Sequence, residues 1–207
     1  MPAPRENPSV AGPVFQWTFQ WPYRFALWGL FRLGVRPWQL TALSLVANAV
    51  CGVLLLTGRR LLPGLLLLPA GLFDVFDGGV ARLRGEDSRK GALLDAVIDR
   101  ACDIIIFACI FVAEATIHQE RVTAGMALAT LVVSLLVSDI RAEGEAAGVQ
   151  ISEGTVQRLE RYIGLMLGLS IPGLLLPVLS ILTGLGLITV IQRTWRAWRA
   201  LSGSRAH

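Results

Sequence analysis

The chain has 207 residues, 54% apolar and only 16% charged, with a formal net charge of +4 and a mean hydropathy of +0.59. Soluble domains carry roughly a quarter charged residues, so the composition excludes an ordinary water-soluble enzyme and points to a single integral membrane domain. The excess of positive charge suits anionic lipid, whereas no finger, helix-turn-helix or aromatic-basic sheet pattern suits nucleic acid.

The first stretch, "MPAPRENPSVAGP", is Pro-rich and lacks the apolar core of a signal peptide. Residues 1–14 are therefore expected to form a disordered tail, with one membrane domain over 15–207. Residues 22–34, "PYRFALWGLFRLG", open with Pro at a plausible first helical position. They read as a helix lying in the membrane interface, apolar side down, with Arg24 and Arg32 toward the headgroups. A loop or a partial span is the alternative.

A helix crosses the hydrocarbon core in about 20 residues. Residues 38–58 carry no charge and give the first span; 61–83 give the second, with Asp74, Asp77 and Arg82 in its later half. After the polar loop "RGEDSRK", residues 91–115 form the third span and hold Asp95, Asp99 and Asp103. Residues 122–140 give the fourth. The uncharged run from Tyr162 to Gln192 is too long for one helix, and "SIPG" at 170–173 breaks it. Its halves predict spans over 155–171 and 173–195. The expected fold is all-α, six transmembrane helices preceded by an interfacial helix. With both termini inside, fifteen of the 19 basic residues fall on the inner side, only Arg59, Arg60 and Arg121 outside, and Arg100 within a span. This bias orients the chain with the aspartates at the cytosolic side. The six tryptophans, at 17, 21, 28, 38, 195 and 198, cluster at that same level. Cys51, Cys102 and Cys109 lie inside apolar runs at no metal-ligand spacing and read as small buried hydrophobes.

Buried aspartates at membrane depth need a reason. Asp74 and Asp77 are one turn apart, and Asp95, Asp99 and Asp103 form a single i, i+4, i+8 stripe. Two neighbouring helices can thus aim four or five carboxylates into one cavity. At about 2.5–3.5 kcal/mol per central charge, four would cost roughly 10–14 kcal/mol unpaired, and Arg82 offsets one of them. Divalent cations resolve this, since oxygen-only ligands suit Mg²⁺, Mn²⁺ or Ca²⁺. Two such ions cancel four carboxylates and leave Arg82 in excess, a balance that attracts phosphate and suits displacement at phosphorus. Gly78 and Gly79 follow directly. Tight helix packing explains Gly79; close approach of a ligand to the backbone explains Gly78. A cation-coupled transporter is a second reading of the aspartates, but the broken helix or inverted repeat it requires is not evident.

The pattern Asp74-x-x-Asp77-Gly78-x-x-Ala81-Arg82, eight residues, Gly91-x-x-x-Asp95-x-x-x-Asp99 resembles the signature of the CDP-alcohol phosphatidyltransferases without gap or substitution. "RPWQLT" is similar to the short element that opens that family's first span, with Trp38 in place of the usual Asn or Asp. The resemblance implies six spans, an interfacial N-terminal helix, a cytosol-facing site and residence in the inner (cell) membrane. It further implies transfer of a phosphatidyl group from a CDP-linked lipid such as CDP-diacylglycerol to an alcohol, with release of CMP. Asp74, Asp77, Asp95 and Asp99 would hold two Mg²⁺ or Mn²⁺ ions, and Asp99 would also be the base. Thr41, Asp74, Gly78, Ala81 and Arg82 would contact the CDP-lipid. Asp103 lies outside the signature, either supporting the ligands or pairing with Arg100 or another helix.

The segments 138–148 and 157–161 resemble those of bacterial phosphatidylinositol-phosphate synthases, although Glu143 stands where those carry a second basic residue. This implies a phosphorylated acceptor, inositol phosphate before glycerol 3-phosphate or an unphosphorylated alcohol, bound by Arg141, Arg158 and Arg161. Topology determination under the positive-inside rule is the alternative reading of the same arginines. A homodimer is expected from the habit of such membrane enzymes.

Overall fold

In a computed structural model, the chain is described at residue 23 and over residues 25–85, 88–149 and 158–203. The proposed tail, residues 1–14, lies outside these. A short helix, α1 (residues 25–32), leads into six longer ones. These are α2 (Pro37–Leu56), α3 (Leu61–Arg84), α4 (Arg89–Val112), α5 (Arg121–Ala146), α6 (Arg158–Ser170) and α7 (Leu175–Gly203), with one π-helical segment, Ala113–Ile117, continuing α4. Four of them, α2, α3, α5 and α7, are long and apolar enough to cross a membrane. Of the other two, α4 is interrupted by the aspartates and arginines read above, and α6 is described over only 13 residues.

Local chemistry sets the boundaries. Pro37 starts α2, where its missing N–H costs nothing, and the Gln39 side chain accepts from the Arg36 backbone N–H at 2.8 Å. Ser88 caps α4 by accepting from the Gly91 N–H at 3.0 Å. Gly85 ends α3 in the left-handed region at φ 64°, which a β-carbon disfavours. The break after Ser170 falls at "SIPG", as the sequence predicts. Two helices outrun their predicted spans: α5 reaches Ala146 rather than 140, and α7 reaches Gly203 rather than 195.

The six long helices close a ring. Helix α2 packs on α3 and α4, α3 on α6, α6 on α7, α7 on α5, and α5 back on α4. The ring interior is filled by Cys51, Leu55, Leu67, Phe107, Ile110, Leu165, Leu179 and their neighbours. Cys51 and Cys102 are fully buried, as expected of small hydrophobes, whereas Cys109, expected to be buried too, is only partly covered. A smaller cluster of Leu27, Leu40 and Val80 seats α1 on α2 and α3. The outward side chains are predominantly large and apolar, among them Val46, Leu65, Val132 and Ile191.

A thin polar thread runs through this apolar interior. Tyr162 donates to Asn48 Oδ1 at 2.8 Å, Asn48 Nδ2 donates to the Ser44 carbonyl at 2.8 Å, and Ser44 Oγ donates to the Ala70 carbonyl at 3.1 Å. Buried polar groups need such partners. Here they fix the height of α2 against α3 and α6, one turn from Asp74. The Tyr162 ring also lies on Gly71, where an added β-carbon would meet it at 3.0 Å.

Candidate active site

Helices α3 and α4 are not packed on each other but both pack on α2, and among the described residues they bring three of the five aspartates into one group. Asp74, Asp95 and Asp99 each offer a carboxylate oxygen within 4.8 Å of the other two, and all three are half-buried. The fourth, Asp77, is only 5% exposed, and its Oδ2 accepts from Thr41 Oγ1 at 2.7 Å. The same hydroxyl sits 3.2 Å from the Pro37 carbonyl, so the start of α2 orients Asp77. Thr41 is therefore in the site as a partner of a carboxylate.

The donor set fits a hard divalent cation. It consists of carboxylate oxygens alone, with no imidazole or thiolate in the group, and clusters three negative charges that an ion would neutralise.

The two glycines after Asp77 part company. A β-carbon on Gly79 would lie 2.6 Å from both Tyr23 Oη and Leu27 Cδ2, so this glycine lets α1 dock. Tyr23 also stacks on Phe76, centroids 5.5 Å apart. At Gly78 the nearest atom would be Arg82 Nη1 at 3.5 Å, ordinary contact. Gly78 and Arg82 thus form an accessible strip beside the carboxylates, with half-buried Ala81 next to it. Gly91 serves the start of α4, through its bond to Ser88.

The basic residues separate likewise. Arg161 reaches across the ring interior: its Nη1 lies 2.9 Å from Asp103 Oδ2 and also donates to Ser134 Oγ. Ser134 in turn donates to Asp103 Oδ2 at 2.7 Å. Of the two readings of Asp103, the structure thus favours pairing with another helix; Arg100 instead meets Asp139 at 3.2 Å. Arg141 is 57% exposed and pairs with Glu145 at 2.9 Å. Arg158 begins α6. Arg193, not among the residues expected in the site, is 8% exposed and donates from Nη1 to the Val137 carbonyl at 2.8 Å. Its signal in the sequence is its place immediately after the uncharged run 162–192. Ser134 was also missed. Its signal was a column of hydroxyls on α5, Thr130, Ser134 and Ser138, at intervals of four.

A profile described as CDP-alcohol phosphatidyltransferase matches residues 35–196, which contain every aspartate discussed. A phosphatidylinositol phosphate synthase of Corynebacterium glutamicum is 36% identical over 175 residues, 79% of this chain and 78% of that protein. The crystal structure of Mycobacterium tuberculosis phosphatidylinositol phosphate synthase with CDP-DAG bound aligns at a TM-score of 0.75 and 30% identity, covering 85% of this chain and 93% of that one. The same mycobacterial enzyme in complex with manganese and citrate aligns at 0.74, also at 30% identity, over 85% and 88% of the two chains. The acidic signature, the helical ring around it and these matches agree: the chain belongs to the CDP-alcohol phosphatidyltransferase family.

Proposed function

We propose that this protein transfers the phosphatidyl group of CDP-diacylglycerol to a hydroxyl of inositol phosphate, releasing CMP at the cytosolic face of the cell membrane. The carrying observation is the meeting of Asp74, Asp95 and Asp99 within 4.8 Å beside the open Gly78–Arg82 strip. A carboxylate cluster next to a cationic, uncrowded stretch of backbone suits a pyrophosphate.

Asp74, Asp77, Asp95 and Asp99 would hold two Mg²⁺ or Mn²⁺ ions. Charge neutralisation and alignment for in-line displacement at phosphorus are what such ions supply when bound. The chain's own residues do the rest. Arg82 pairs with the diphosphate, Gly78 and Ala81 leave room for the cytidine, and Thr41 keeps Asp77 oriented. Asp99 takes the proton of the acceptor hydroxyl as it attacks. Arg161, with Arg141, Arg158 and Arg193, supplies guanidinium groups for the acceptor's phosphate. Support for a phosphorylated acceptor comes from the synthases to which the chain is similar and from two arginines, Arg161 and Arg193, held largely out of solvent.

The same reading places all six long helices across the bilayer and α1 in its cytosolic interface. Exposed Phe25, Trp28 and Phe31 beside Arg32 support that position for α1. It treats 15–207 as one domain and the assembly as a homodimer.

The test is CMP release from CDP-diacylglycerol in detergent, with inositol phosphate, glycerol 3-phosphate, inositol and serine in turn. Inositol phosphate should be preferred, chelation should abolish release, and Mg²⁺ or Mn²⁺ should restore it. Asp99→Asn should lower turnover by roughly 10²–10⁴ while CDP-lipid binding persists. Full activity in excess chelator, or no release with any acceptor, would sink the reading.

A further inference from the structure

We infer that Asp103, together with Ser134, is a positioning residue for the acceptor. It fixes the Arg161 guanidinium and stands outside the metal cluster although it lies on the same stripe of α4. This inference rests on the reading of Arg161 as an acceptor-phosphate group.

The geometry carries it. Asp103 is 6% exposed and Ser134 5%, so a carboxylate is buried at a depth where an unpaired charge is costly. One oxygen, Oδ2, receives both Arg161 Nη1 at 2.9 Å and Ser134 Oγ at 2.7 Å. Nη1 itself also donates to Ser134 Oγ. The three groups close a triangle drawn from α4, α5 and α6. Among the described residues α4 and α6 are not packed neighbours, so the guanidinium spans the ring interior and its position depends on what it grips at the far side.

The grip engages one end of a forked cation. A guanidinium carries five N–H donors in a rigid plane. Fixing Nη1 on Asp103 and Ser134 therefore fixes the direction of the others. A lysine, with a rotatable point charge, could not transmit that orientation. The next residue, Tyr162, anchors the same turn of α6 through its bond to Asn48 and its contact with Gly71. Arg161 is thus held from both its backbone and its tip. Asp99 lies one turn before Asp103 on α4, so one helix face carries both the group that would activate the acceptor's hydroxyl and the group that aims the cation for its phosphate.

The test is a kinetic cycle on full-length enzyme in detergent, with manganese affinity and thermal stability measured alongside. The variants are Asp103→Asn, Ser134→Ala, Arg161→Gln and the Asp103→Asn/Arg161→Gln double. Asp103→Asn should raise the acceptor KM by about 10- to 100-fold, moving the CDP-diacylglycerol KM and manganese affinity by less than about twofold. Ser134→Ala, the milder change, should move the acceptor KM the same way by a smaller factor. It keeps the inference testable if the aspartate variant fails to fold. The double variant should be no worse than Arg161→Gln alone, because the aspartate acts through the arginine. Loss of manganese binding in Asp103→Asn would place it in the metal site and overturn the inference. An unchanged acceptor KM in Asp103→Asn and Ser134→Ala, with a raised one in Arg161→Gln, would overturn it while leaving the acceptor reading intact. An unchanged acceptor KM in Arg161→Gln would overturn that reading, and the inference with it.

Discussion

At Gly79 a single added methyl group would collide with two residues of the α1 region, Tyr23 and Leu27, whereas at Gly78 it would touch only the end of Arg82. The adjacent glycines therefore give opposite expectations. Gly79→Ala should destabilise the fold by about 1–3 kcal/mol, the usual cost of overpacking, and loosen α1. Gly78→Ala should leave stability near wild type, since an exchange of Gly for Ala within a helix is intrinsically favourable, yet raise the KM for the CDP-lipid. Melting temperature and KM measured on both variants separate the two. If Gly78→Ala is kinetically silent, the strip beside the carboxylates is not a ligand surface. The sequence already distinguished the two, because only Gly78 belongs to the spaced acidic signature. The placement of the aspartates was legible in part: helical period puts each set on one face of its own helix, but does not say that the two faces meet through α2 with Asp77 turned to Thr41. The partner of Asp103 was not. Nothing in local spacing says that an arginine from α6 will cross the ring to reach α4.

Among the elements, hydropathy located every long helix but not every helix end. The run "RAEGEAA" after residue 140 reads as a polar connection, yet α5 continues through it to Ala146. Ala, Glu and Arg are strong helix formers, and hydropathy marks where lipid stops, not where hydrogen bonding stops. The extension ends near Gly148, at φ 78°. The tail of α7, "TWRAWRAL", behaves alike. At the opposite end of the bundle, the π-helical turn after α4 buries Glu114, which is 1% exposed and pairs through both carboxylate oxygens with Arg60 of the α2–α3 turn. This pair ties the start of α3 to the end of α4, roughly 20 Å of helix from Asp74 at about 1.5 Å per residue. Glu114→Gln should therefore cost stability, about 1–3 kcal/mol. Removing one partner of a fully buried pair would cost 3–5, but the Arg60 side chain is 25% exposed and solvent compensates in part. Turnover at saturating substrate should stay within about twofold of wild type. A thermal shift without a kinetic one confirms the role, and an unchanged melting point refutes it.

For the whole molecule, the ring order ties helices that are distant in sequence. Helix α4 packs on α2 and α5, while the counter-charge for its Asp103 sits on α6. A growing chain thus exposes a carboxylate before the arginine that neutralises it has been made. With α4 across the bilayer, as proposed, that unpaired charge would favour leaving lipid by up to about 2.5–3.5 kcal/mol on the insertion scale. On that reading, α4 should settle more readily once α6 arrives. Chains ending between α5 and α6 should integrate α4 poorly, and chains extended past α6 should integrate it well. Arg161→Ala in the longer chains should restore the poor outcome. Protease protection of a tag placed after α4 reads the difference, and equal protection at all lengths would mean that the aspartates enter lipid unaided.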